Sequence, residues 1–329
     1  MKKCFVKVVI AALSFIAIFA ACQKEMVNGY SSNEMATLRI SIPMGDTKVI
    51  SDANDAQVNH YQVFLFKDDY SLEDYTNQTS PDVTLDCTMG KKYIVAMVNA
   101  PLMDDIMDYR TLTEKTSLLS DNSVGSFVME GLTVIDVATT NPAKIAVPVT
   151  RKVAKVELSS LTVAIDMPQY SSLAFKVSSV YLINVSSEIQ YFPMQKTVPV
   201  SWSNQLAFVS EDANDLTYDD MGDFQVTEST PYTTKNTFYT YANLIDNDSF
   251  STTWSPRHTR LVVEAMLGDQ VYYYPVTLPK LEQNKVYGVN LKITRPGSFT
   301  PDARIDKFDA DFQITVKDWV QGETVDEEI

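Results

Sequence analysis

Apolar and polar residues alternate with a period of two through most of this chain. Leu38, Ile40 and Ile42 alternate with Arg39 and Ser41, and Ala154, Val156 and Leu158 with Lys155 and Glu157. Tyr287, Val289, Leu291 and Ile293 alternate with Gly288, Asn290, Lys292 and Thr294, and Phe312, Ile314 and Val316 with Gln313, Thr315 and Lys317. Successive side chains of an extended strand point to opposite faces, so each segment is a strand with one apolar and one solvated face. Further strands are predicted at 61–66, 93–99, 127–130, 175–185, 260–266 and 271–278. Only Met103 to Leu119 reads as helix, from the three-residue recurrence of Ile106, Tyr109 and Leu112. Many short strands with Ser/Thr/Asn/Asp-rich connections predict an all-β protein made of β-sandwiches. The 329 residues suffice for two cores, and the division is expected after 159, at Ser159-Ser160. Residues 210–231, acidic and irregular, read as a surface loop of the second domain.

The first residues read as an export leader spanning 1–21. Lys2, Lys3 and Lys7 precede an apolar run from Val8 to Ala21 that is too short to span a bilayer comfortably. The run ends in Phe19-Ala20-Ala21-Cys22, small residues before a cysteine, which is the pattern of a lipoprotein in which Cys22 is alkylated and becomes the new N-terminus. Incidental cysteine after an ordinary cleavage site is the alternative. With Cys4 in the leader and Cys22 lipidated, Cys87 is the one cysteine left, so no internal disulfide can form. Cys87 reads as a small buried strand residue. Past the leader, 24 of the 27 basic residues remain against 42 acids, a balance of −18. Such a chain repels the phosphates of nucleic acid and an anionic membrane surface alike.

Catalytic chemistry finds no support. His60 and His258 sit in no metal-spaced cluster, and there is neither a Gly-x-Ser-x-Gly elbow nor a phosphate-cradling loop among ten glycines. A calcium loop starting at Asp212 would need Gly and Glu where Thr217 and Asp223 stand. No catalytic residue, metal or cofactor is expected. The 17 tyrosines, Tyr272-Tyr273-Tyr274 among them, fit either cross-strand packing or stacking on sugars.

Several segments, taken in order, resemble the Bacteroidales fimbrillins, the type V pilins with FimA-type and Mfa-type subunits. They are Thr150-Arg151-Lys152-Val153-Ala154-Lys155-Val156, then Phe238-Tyr239-Thr240-Tyr241-Ala242-Asn243, with Ala242 where that family usually has Glu. Tyr274-Pro275-Val276, Glu282 to Tyr287, Leu291 to Gly297 and Ile314 to Trp319 follow. Gln23-Lys24-Glu25 after Cys22 is similar to the surface-export signal of lipoproteins from these bacteria.

The resemblance implies two tandem transthyretin-like, Greek-key β-sandwich domains, with a short helix in the first. It divides the chain into a leader (1–21), a propeptide with the first strand (22–48), an N-terminal domain (49–159) and a C-terminal domain with a donor segment (160–329). It implies a surface fimbrial subunit, anchored in outer-membrane lipid through Cys22 until a trypsin-like protease cuts after a basic residue. The exposed stretch between the first strand and Tyr61 makes Lys48-Val49 the expected cut, while Arg39, inside the strand, is expected to be shielded. Leu38, Ile40 and Ile42 then leave a groove that another subunit fills. Phe312, Ile314, Val316, Trp319 and Val320 are the expected donor residues, although the acidic tail beyond Val320 alternates poorly. Partners are other copies or related subunits, and host or bacterial surface ligands. The rival readings are a monomeric glycan-binding lipoprotein and a non-polymerising tip or anchor.

Overall fold

A computed structural model describes residues 34–44, 57–192, 198–210, 215–303, 310–319 and 327–328. The first half of the chain forms β1 (Met35–Ser41), β2 (Tyr61–Lys67), β3 (Leu72–Gln78), β4 (Asp82–Thr88) and β5 (Gly90–Val98). Helix α1 (Tyr109–Glu114) follows, then β6 (Thr116–Leu118), β7 (Met129–Val137), β8 (Ile145–Ala146) and β9 (Thr150–Arg151). Apart from β6, these strands make two facing sheets, ordered β4-β1-β8 and β3-β2-β5-β7-β9.

The second half forms β10 (Val153–Val163), β11 (Phe175–Ile183), β12 (Val185–Gln190), β13 (Ser201–Ser203), β14 (Tyr218–Gln225) and β15 (Asn236–Tyr241). It continues with β16 (Arg260–Leu267), β17 (Gln270–Thr277), β18 (Lys285–Ile293), β19 (Ala310–Asp318) and β20 (Glu327–Glu328). Its two larger sheets are ordered β15-β10-β18-β19-β20 and β14-β11-β16-β17, and β13 and β12 form a small third sheet with β6. The chain is thus all-β in β-sandwiches, with one short helix in the first, as the alternation and the resemblance led us to expect. The expected division after 159 falls inside β10, whose partners β15 and β18 are both C-terminal, so by pairing the second sandwich begins at Val153. The Ser159-Ser160 pair marks a shift of register within that strand rather than a linker.

The two sandwiches share one topology. β1 pairs antiparallel with β4 and parallel with β8, and β10 pairs antiparallel with β15 and parallel with β18. In the opposite sheets β3-β2-β5-β7 corresponds, in chain order and direction, to β14-β11-β16-β17.

β2 departs from simple alternation because both of its faces are covered. Val63 and Leu65 face the interior of the first sandwich, while Phe64 and Phe66 lie under Met103, Ile106 and Leu112. Gln62, fully buried, fastens this cover: its Nε2 donates to the carbonyls of Ala100 and Pro101, and its Oε1 accepts from the Met103 amide at 2.9 Å. The helix is shorter than the expected Met103–Leu119. Asp108 caps it through a 2.7 Å bond from the Thr111 amide, and Thr116–Leu118 is drawn off as a strand against Glu188–Gln190 of β12. That pairing joins the two halves, as do rings of Phe127, Tyr239 and Trp319. The stretch 210–231 is not simply a loop, since it contains β14, an edge strand that is mostly exposed and therefore polar.

Candidate functional site: the strand that plugs the first sandwich

β1 is the element whose position says most about function. Its burial alternates residue by residue: Ala36, Leu38, Ile40 and Ile42 are all at most 3% exposed, while Met35, Thr37 and Arg39 face out. Those four side chains enter one core with Val63, Leu65, Ile94 and Ala96 of the facing sheet. Leu38 lies opposite Leu85 and Ile40 opposite Val83 on β4, which pairs with β1 along its whole length. The other side is thin, because β8 pairs only with Ile40 and Ser41. Beyond it the Val147 and Val149 amides donate to the carbonyls of Ser41 and Pro43 at 2.9 and 3.1 Å. Burial of Leu38, Ile40 and Ile42 contributes roughly 5–9 kcal/mol, comparable to the whole stability of an ordinary domain, about 5–15 kcal/mol. An empty groove is therefore untenable in water.

Each wall of the groove pairs with β1 in the sheet and is also fastened by contacts that do not involve β1. On the β4 side, the Glu73 carboxylate accepts from the Thr88 amide at 2.8 Å and from its hydroxyl at 2.6 Å. Lys92 completes the buried cluster, 2.6 Å from Glu73. Burial alone would raise the Glu73 carboxyl, but the bonds from Lys92 and Thr88 outweigh it and hold it below the usual range. On the β8 side, the backbone at Pro148 approaches Gly131 of β7 so closely that a Cβ there would lie 2.2 Å from the Pro148 carbonyl oxygen. Over the outer face, Lys144 reaches Asp82 at 2.6 Å. Asp82 lies opposite Ser41 on β4 and Lys144 directly precedes β8, so this ion pair spans β1 from wall to wall.

Leu38, Ile40 and Ile42 are thus together in one groove. Cys22, Lys48, Val49 and Val320 lie outside the described residues. Arg39 is shielded only in its backbone, which is laddered opposite Thr84; its side chain is exposed and donates to Asn141 and the Pro142 carbonyl. Cys87 is fully buried beside Ala36, and burial, with the Glu73 charge adding to it, pushes its thiol up to about 11. It stays protonated at neutral pH, unsuited to nucleophilic work.

The expected donor residues lie in the second sandwich. β19 pairs with β18 from Ala310 to Asp318, and Phe312, Ile314 and Val316 are half-buried against that core. Trp319 is more tightly held, 8% exposed, with ring centres of Phe127 and Tyr239 at 5.5 and 5.8 Å and the Arg151 guanidinium 4.5 Å over its ring. The tyrosine run resolves in favour of packing: Tyr272 and Tyr274 are buried and Tyr273 is half-buried. Sequence reading missed the Lys144–Asp82 span, since residues 62 positions apart carry no local signal.

A protein of two like-wound sandwiches, the first closed by its own N-terminal strand, is the class this geometry defines. Solved structures with that fold include a candidate cell adhesion protein from Bacteroides eggerthii, 21% identical over 87% of this chain and 96% of that one, with a TM-score of 0.67. Another, from Parabacteroides distasonis, is 14% identical over 88% and 98%, with a TM-score of 0.66. A fimbrilin (FimA) from Porphyromonas gingivalis is 17% identical over 88% and 99%, with a TM-score of 0.62. No family model and no curated protein sequence matches the chain.

Proposed function

We propose that this chain is a structural subunit of a surface fimbria that supports adhesion and accepts a strand from a neighbouring subunit. It is exported as an outer-membrane lipoprotein on Cys22, cut by a trypsin-like protease after Lys48, and freed of β1. The observation that carries the reading is β1 itself. Ala36, Leu38 and Ile40 of this strand, with Ile42 just beyond it, fill a groove whose walls carry braces of their own, next to a strand of only two residues. The fold shared with a fimbrilin supports it. A strand entering the groove restores the backbone ladder and the apolar plugs together. Donor and acceptor surfaces differ, so contacts run head to tail and propagate.

The segment from Phe312 to Val320 is the proposed donor. Trp319, buried against Phe127 and Tyr239, favours a second reading in which the subunit accepts a strand without giving one, as a tip or anchor would. The test is limited trypsin treatment of residues 23–329, followed by N-terminal sequencing and denaturant-resistant gel ladders. A species starting at Val49 that forms ladders supports the stalk subunit. One that starts at Val49 but only caps a preformed ladder supports the acceptor-only subunit. An uncut, monomeric chain removes both.

A further inference from the structure

A second feature of the first sandwich lies on its outer face, away from the β1 groove. The β2–β3 hairpin turns through Asp68-Asp69-Tyr70, with Lys67 and Ser71 closing it by a backbone bond of 3.0 Å. Tyr70 sits there at φ +66°, a left-handed conformation that suits glycine or asparagine and is an outlier for a bulky ring. The surroundings fix it in place. Asp69 accepts from the Ser71 amide and hydroxyl at 3.0 and 2.6 Å, and the Tyr70 carbonyl accepts from the Tyr109 amide at 2.9 Å. A tyrosine in this conformation is strained, and such strain accumulates at functional sites.

The strain places an aromatic ring at the surface. Tyr70 remains 46% exposed, its ring centre 4.9 Å from Tyr93 and 6.0 Å from Tyr109. Tyr93 and Tyr109 lie 6.2 Å apart, and the planes of the three rings agree within 37°. The Tyr70 and Tyr93 hydroxyls lie 3.3 Å apart, and the Lys91 ammonium, 3.3 Å from Asp68, sits over the Tyr93 ring at 4.9 Å from its centre, which leaves Tyr70 as the open ring. Phe66 meets Tyr109 edge-on from the core side, so the cluster is anchored rather than loose.

We propose that the Tyr70–Tyr93–Tyr109 ledge binds a neutral oligosaccharide by stacking a pyranose ring on Tyr70, with Tyr93 and Tyr109 backing that ring. A pyranose offers an apolar C–H face and a rim of hydroxyls, which matches aromatic faces bordered by an ammonium, a carboxylate and two phenols. A protein partner needs about 800 Å² on each side, far more than three side chains supply. The chain's net charge of −15 disfavours acidic sugars. The site is independent of strand exchange and can be tested on the uncut chain.

The decisive variant is Tyr70→Gly, which removes the ring and suits the backbone. Binding of lactose, cellotetraose and chitotriose is followed by NMR of the uncut chain, with sialyllactose as the charged comparison. We expect saturable binding of a neutral sugar at a Kd of order 1 mM. Tyr70→Gly should weaken it at least about tenfold while melting at the same temperature as the parent or higher. The absence of saturable binding to all three neutral sugars overturns the proposal, as does a Tyr70→Gly chain that binds like the parent. A Tyr70→Gly chain that melts lower makes the ring a packing element and overturns it too.

Discussion

β1 and β10 occupy the same place in the two sandwiches, yet they are held very differently. Each opens its unit, with an antiparallel neighbour on one side and a parallel one on the other. β10 is laddered to β18 from Lys155 to Val163 and to β15 from Val153 to Leu158. β1 has a full ladder with β4 alone, because β8, the counterpart of β18, has shrunk to Ile145–Ala146. Their side chains are equally buried: Leu38 and Ile40 in β1, like Val156 and Leu158 in β10, are fully inaccessible. The hydrophobic requirement is therefore the same, and only the backbone attachment differs. On the proposed reading, the strand with the shorter second ladder is the one that gives way to an equivalent strand, and the strand laddered at length on both sides stays.

The largest effect expected from this contrast comes from excision. Removing residues 1–48 should abolish the melting transition of the first sandwich, a loss of roughly 5–9 kcal/mol, while leaving that of the second. A synthetic peptide spanning residues 35–43 should restore it. Excising β10 should abolish the second transition with no rescue by its peptide. Calorimetry with and without the peptides checks both, and rescue by the β10 peptide would break the comparison.

Much of this was legible in the sequence because strict alternation reports a strand with one buried face. β1, β10, β18 and β19 were readable for that reason, and Leu38, Ile40 and Ile42 were picked out as a set. The strands that escaped are instructive. β3 and β14 are equivalent edge strands, Leu72–Gln78 and Tyr218–Gln225, the first evenly half-buried and the second mostly exposed, so neither carries a clear apolar period. β8 and β9, two residues each, are too short to have one. The helix was overextended because the periodicity of Ile106, Tyr109 and Leu112 reports burial over Phe64 and Phe66, and only part of that cover is helical. The duplication itself was invisible, since matching strands share topology without sharing residues. The groove's braces were invisible too, because Glu73, Lys92 and Thr88, like Lys144 and Asp82, meet only through the fold.

A medium effect should follow from narrowing the β8 wall. Gly131→Ala places a methyl group against the Pro148 carbonyl, and the 147–149 backbone must move away from β7. Val147 and Val149 face the same core as Leu38, and their amides donate to Ser41 at the end of β1 and to Pro43 just after it. We expect a cost of about 1–3 kcal/mol in the first sandwich, read by chemical denaturation. The substitution should also weaken rescue by the 35–43 peptide. Full stability with unchanged rescue would show that the β8 wall contributes little to retention of the strand.

The smallest effect on stability, and the sharpest on the comparison, is expected from Lys144→Ala. The Lys144–Asp82 pair is half-exposed on both sides, so its removal should cost at most about 1 kcal/mol. Its position makes it more informative than its energy. It crosses β1 at Ser41, where the short parallel ladder with β8 lies, whereas β10 is laddered to its parallel neighbour over most of its length. If the pair retards departure of β1, Lys144→Ala should leave the melting temperature nearly unchanged while exchange of β1 for labelled 35–43 peptide becomes faster. Salt should accelerate the parent toward the variant, since an exposed ion pair is screened. Equal exchange rates in parent and variant would assign retention of β1 to its plugs and the β4 ladder alone, so that only core substitutions could tune its release.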